Sequence, residues 1–163
     1  MKTLPALAPR RGTFKLDTSG AYAANDVLSD VLILENVAKA VDQPVLLVAM
    51  RLTDEDDQAA ADMDVIFFDA ADASLGTTNS AVTISDQTSR RQQGRVRLEA
   101  AEWDDDINSK SLCCPMNHPR MGVPLFPIKG TRHVAVQLVT KGTPTQTAYG
   151  IQGLFWFMEC EGY

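Results

Sequence analysis

Histidine is scarce in this 163-residue chain, which has only His118 and His133, and cysteine is nearly so, with Cys113, Cys114 and Cys160. Three cysteines, two of them adjacent, are an odd count and the wrong layout for a secreted disulfide framework, so reduced thiols are expected. No GxSxG turn accompanies the histidines, and a Ser-His-Asp triad has nothing to build on. Neither GxxxxGK[ST] nor GxGxxG occurs, which removes the phosphate cradle that a kinase or dehydrogenase needs. Catalytic residues and cofactors are therefore expected to be none.

Cations are also in deficit: 15 Lys and Arg stand against 21 Asp and Glu, a formal net charge of -6. A phosphate-binding surface needs clustered Lys and Arg to displace counterions, so nucleic acid is excluded as an expected partner. Pro5 and Pro9 break the opening segment before a signal-peptide apolar region is complete. The expectation is a product made in the cytoplasm that does not engage a membrane. With 45% hydrophobic and 22% charged residues the composition is that of an ordinary globular domain. Its length suits one domain with one core.

What is present is period-two alternation in short apolar runs, separated by clusters of Gly, Pro, Asn, Asp, Ser and Thr. From Gly12 to Asp17, Phe14 and Leu16 face inward. Val27 to Val37 is apolar on both faces and predicts a covered strand. Val45 to Leu52 predicts a central strand, and Met63 to Asp69 has the same density, the two forming a hairpin across the polar 53–62 connection. Ala81 to Ile84 is a short strand candidate. Ser85 caps a small peripheral helix ended by Gly94. Arg95 to Ala100 alternates cleanly, with Val96 and Leu98 inward, and reads as a strand near an edge. Arg132 to Thr140 alternates likewise and pairs with Tyr149 to Cys160 through the Gly142 to Pro144 turn. A single sheet of some eight such strands would leave a dense apolar face in water, so two packed antiparallel sheets are expected. The fold class is all-β: an antiparallel, jelly-roll-like β-sandwich with about eight strands and one short peripheral helix. Residues 1–11 read as an N-terminal arm and 12–163 as the single domain, with a long irregular insertion at 102–130.

That insertion carries Pro115, Pro119, Pro124 and Pro127, which forbid a continuous central strand. Long connections of this kind in compact domains are usually functional or contact another chain. The candidate partner contacts are Trp103, Met116, Met121, Val123, Leu125 and Phe126, joined by Arg10 and Arg11 from the arm. Cys113, Cys114, His118 and Cys160 could in principle make a zinc site, but adjacent cysteines rarely ligate one ion and no C-x-x-C is present. The acidic runs 54–57 and 104–106 lack the DxDxDG spacing with a distal Glu that a calcium loop needs, so no metal site is expected. Trp103, Tyr22 or Tyr149 could stack on a sugar ring, against the commoner role of such aromatics in cores and interfaces.

Read in order, the segments AYAANDVLSDVLILENV, PVLLVAMRLTDEDDQ, MDVIFFDA, TNSAVTISD, GRV and QLVTKGTPTQTAYG resemble a family of small virion structural proteins of tailed bacteriophages, across roughly Gly20 to Phe155. Where that family leads one to expect glycine, this chain has Asn25, which also tolerates a left-handed backbone. The 102–130 stretch is longer than the resemblance implies. The resemblance implies a non-enzymatic virion component. The best single role is a capsid decoration, or cement, protein on the head exterior that bridges major capsid protein subunits. It would contact other virion proteins and, as a homo-oligomer, itself. A neck, tail or fibre component and a carbohydrate-binding β-sandwich module are the alternatives.

Overall fold

In the computed structural model, residues 9–16, 21–54, 61–106, 109–145 and 151–160 are described. They form ten strands in two antiparallel sheets with one short helix. The strands are β1 (Arg10–Phe14), β2 (Leu32–Leu34), β3 (Val45–Asp54), β4 (Met63–Phe68), β5 (Gln92–Leu98), β6 (Asp104–Asp106), β7 (Ser109–Cys114), β8 (Val123–Leu125), β9 (Val134–Thr140) and β10 (Ile151–Glu159); α1 spans Asp86–Arg91.

The first sheet runs β1-β10-β3-β7-β6, with β8 also paired to β3, and the second runs β2-β9-β4-β5. Both β7 and β8 lie on the flank of β3 away from β10: β8 pairs with Val45–Leu47 and β7 with Met50–Asp54. Counting β6 to β8 as one position gives eight positions in the orders 1-8-3-6 and 2-7-4-5. That is the strand order of a jelly roll, in which two Greek keys wrap a sandwich.

The main core lies between the sheets and includes Phe14, Leu47, Met50, Leu52, Phe67, Val136 and Phe155. A second cluster lies on the far side of the second sheet, where Ala70, Ala73, Leu75 and Val27 cover Ile66, Phe68, Ala135 and Val139. The chain thus seals that outer face itself, which is why β4 and β9 are buried at every position. Gln137 is buried on this face and satisfied, donating to Ser29 O at 2.9 Å and accepting from Leu75 N at 2.9 Å.

Several sequence expectations change here. β3 and β4 are not a hairpin, because each is flanked by distant strands: β3 by β10, β7 and β8, and β4 by β5 and β9. β9 and β10 likewise sit in different sheets. Alternation reports which faces are buried and is silent about which strand lies alongside. For the same reason β9, expected to be half-solvated, is central and doubly covered. Of the Val27–Val37 run only Leu32–Leu34 is a strand, preceded by isolated bridges such as Val27 to Val139, and Ala81 contributes one bridge, to Asp26.

Arg10 and Arg11, expected in an arm, belong to β1 and pair with Phe155 and Leu154. The 102–130 stretch, expected to be irregular, supplies β6, β7 and β8; Pro115 and Pro119 fall between β7 and β8, Pro124 on the short edge piece β8 and Pro127 after it. Ser85 does cap α1, its hydroxyl accepting from Thr88 N, but the helix ends at Gln92, two residues before Gly94. β5 lies at an edge. Asn25 adopts φ 70°, the left-handed conformation expected of it.

Candidate docking surface

The 102–130 candidates separate by side of the sheet. Val123 and Leu125 pair with the fully buried Leu47 and Val45, so they share the inward face. Leu125 has no exposed surface, and Val123 Cγ1 lies 2.5 Å from where a Cβ on Gly94 would sit, closing the sandwich between β8 and β5. Met121 and Trp103 are partly buried against the core, and the Trp103 indole N–H is buried without a partner among the described residues. These four are packing residues of this chain. Met116 and Phe126 remain well exposed, at 62% and 57%.

The turn between β7 and β8 is anchored although it lacks regular structure. Arg120 binds both Glu102 and Glu99, carboxylates joined through the capping box of the 3-10 turn Ala100–Glu102. His118 Nδ1 accepts from Arg120 N at 3.3 Å, and His118 Nε2 lies 3.6 Å from Glu102. Burial raises the Glu102 pKa, but hydrogen bonds from the Glu99 backbone and Arg120 outweigh it and leave the carboxyl below its ordinary value.

No metal centre assembles from the suggested ligands. Neighbouring residues on a strand point to opposite faces, so Cys113 is exposed on the outer face while Cys114 is buried in the core. Burial pushes the Cys114 thiol up to about 11, with Glu102 adding to the effect. Among the described residues no three His, Cys, Asp or Glu side chains gather at metal-binding distances. Asp54 is buried at the end of β3, residues 55–57 lie outside the described residues, and the side chains of Asp105 and Asp106 are not described. Of the sugar-stacking candidates, Tyr22 is buried in the core and Tyr149 lies outside the described residues. Asp64, fully buried, is held by Arg97, whose Nε donates to one carboxylate oxygen and whose Nη2 donates to the other, with Lys141 at 3.5 Å and Arg95 at 3.6 Å. This pairing raises the Arg97 pKa, chiefly through the hydrogen bond to Asp64, and builds a structural ion cluster.

Arg10 and Arg11 also face opposite ways. Arg10 Nε donates to Asn36 O at 2.7 Å and ties β1 to the turn after β2, a scaffolding role. Arg11 lies on the outer face of the first sheet. There the register aligns Arg11, Leu154, Arg51 and Cys113 across β1, β10, β3 and β7. The next row aligns Thr13, Gln152, Thr53 and Ser111. Arg11, Arg51, Thr53, Gln152 and Leu154 line a shallow depression of about 480 Å³. Toward the start of β3 the face turns apolar, with Trp156 beside Ala49, and Leu46 between Met158 and Pro124. Leu46, Ala49, Leu154, Trp156 and Met158 are all only half-buried.

Sequence reasoning did not find this face. The signal was present: β10 carries Ile151, Phe155 and Phe157 on one side and Leu154, Trp156 and Met158 on the other, so the strand is apolar on both faces while, among the described residues, only one is covered.

Comparison with known proteins finds no matching family model, curated protein or solved structure. Among the described residues no helix is long and apolar enough to cross a membrane.

Proposed function

We propose that this chain is a structural component of a tailed-bacteriophage particle, a decoration protein that docks on the outside of the head and bridges neighbouring major capsid subunits. It works by binding, without turnover. One observation carries the reading: among the described residues, the outer face of the second sheet is sealed by the chain itself, whereas the outer face of the first sheet is left open, lined by half-exposed Leu46, Leu154, Trp156 and Met158. An apolar sheet face left uncovered beside one that is covered marks a site for another protein. Jelly rolls serve viral coats and also sugar-binding modules, and the strand order alone does not choose between them. Of the aromatics singled out for stacking on a sugar, Tyr22 is in the core, Trp103 packs against it and Tyr149 lies outside the described residues.

The test is to add purified protein to expanded heads that lack it and image the particles. Ordered density at fixed lattice positions on the head exterior is the expected result. Density confined to the neck or tail, or none, defeats the decoration role.

A further inference from the structure

The turn after β2 begins at Asn36, whose φ of 52° is left-handed, a conformation that asparagine tolerates but that surrounding contacts must hold. Three side chains do the holding. His133 Nδ1 accepts from Asn36 N at 3.0 Å, Arg10 Nε donates to Asn36 O at 2.7 Å, and Arg132 donates to the Asn36 side-chain carbonyl. Beyond Asn36 the turn docks through its backbone: Val37 N and Ala38 N donate to Arg132 O, and Asp42 N donates to Thr131 O. Val37 and Ala38 are thereby buried in the main core.

We propose that His133 is a proton-sensitive latch: the neutral imidazole holds this turn closed against the segment leading into β9, and protonation releases it. The latch operates whether or not the chain binds a capsid. Of the three side chains on Asn36, only the histidine changes its hydrogen-bonding capacity with pH. Nδ1 accepts from Asn36 N only while it carries no proton, because an imidazolium donates at both nitrogens. Arg10 and Arg132 stay charged throughout. A protonated His133 therefore sets two N–H groups against each other and adds a third positive charge around Asn36.

No neighbouring charge offsets this. Glu35 and Lys39 are exposed on the turn, Asp42 accepts from Gly130 N, and Lys129 is exposed on the segment before β9. Among the described residues His133 has no carboxylate within ion-pair distance and no hydrogen-bond partner at Nε2. His118 differs on this point. Its Nδ1 also accepts a backbone amide, from Arg120, but its Nε2 lies 3.6 Å from Glu102. Protonation there exchanges one contact for another, whereas at His133 it only removes one. Release of Asn36 uncovers Val37 and Ala38 and slackens the tie that Arg10 makes between β1 and the turn.

The test follows isotope-labelled full-length protein from about pH 8 to about pH 4, a range that spans the ionisation of an ordinary histidine. Imidazole nitrogen shifts report the protonation of His133 directly. Hydrogen exchange, corrected for its intrinsic dependence on pH, reports the amides of Asn36, Val37 and Ala38. At about pH 8 the imidazole is expected to be neutral with its proton on Nε2. As it takes up a second proton, protection at the three amides is expected to fall at least about tenfold, while Val65 and Phe67 in β4 keep theirs. His133→Asn places a carbonyl oxygen that cannot ionise near the position of Nδ1, and it is expected to abolish the fall. The latch is overturned by protonation of His133 with unchanged protection at Asn36, by a proton on Nδ1 at about pH 8, or by an imidazole still neutral at about pH 4. A fall of the same size in His133→Asn, or one shared in step by the β4 amides, overturns it as well.

Discussion

Phe155 joins three strands across both sheets, and truncating it while filling the space beside it gives a sharp test of the packing. Its ring is fully buried and makes edge-to-face contacts with Phe14 of β1 and Phe67 of β4, each with centroids 6.2 Å apart. Phe155→Ala removes a core phenylalanine, a change worth about 3–5 kcal/mol, and both aromatic pairs. That is a fifth or more of the roughly 5–15 kcal/mol that holds a domain of this kind together. Gly153 explains what the ring rests on: a Cβ there would sit 2.5 Å from Phe155 Cε2 and 2.9 Å from Cζ. Gly153→Ala alone is therefore overpacked and costs about 1–3 kcal/mol. In the Phe155→Ala background that obstruction is gone, and the nearest atom of another residue is Phe14 Cε2 at 3.2 Å. There alanine is neutral, or stabilises by up to about 0.5–1 kcal/mol, the backbone entropy that glycine carries. Urea unfolding of the four proteins, followed by circular dichroism and tryptophan fluorescence, measures the coupling. An interaction energy of about 1.5–3 kcal/mol in favour of the double variant is expected. Costs that add within about 0.5 kcal/mol would refute the contact between the Phe155 ring and Gly153.

Three further outcomes follow from other parts of the molecule. Asp64→Ala removes the carboxylate that gathers Arg97, Lys141 and Arg95, cations exposed enough to resolvate, and lowers stability by about 1–3 kcal/mol in the same urea assay; an unchanged or raised stability would contradict a structural role for the cluster. Iodoacetamide at about pH 8 alkylates Cys113 and spares Cys114, whose thiol is buried with its pKa at about 11, and peptide mass spectrometry showing equal labelling of both would count against the opposed faces of β7. The Glu102 carboxyl lies below its ordinary value of 4.5, so its contribution to stability is full above that pH and is lost as pH falls through the depressed folded value. Arg120→Gln removes a clamp on that carboxylate, and the stability gap between variant and wild type closes on acidification; a gap constant from about pH 7 to about pH 2 would show that the pair does not stabilise the turn.

The fold is largely legible in the sequence because alternation reports directly on face burial. Phe14 and Leu16, Val96 and Leu98, and the Ser85 cap are local signals, and the structure bears them out. Pairing partners are not legible, because β3 with β10 and β4 with β9 are contacts between distant segments that leave no mark in either segment alone. The candidate contacts err through an assumption about proline. Pro124 sits outward on β8, which leaves Val123 and Leu125 free to point into the core. The open outer face escapes a reading of the sequence because its residues come from β1, β3 and β10, and only the strand register brings Arg11, Leu154 and Arg51 into one row.

Among the described residues one outer face is covered and the other is left half-exposed, which gives the molecule a front and a back. In the proposed decoration role, copies adhering through the front would present to solvent a back already finished by their own chain, so another copy would find nothing there to continue the stack. Growth would stop after a single layer, and a coat built from such units would have a thickness set by one molecule and an extent fixed by the surface beneath it.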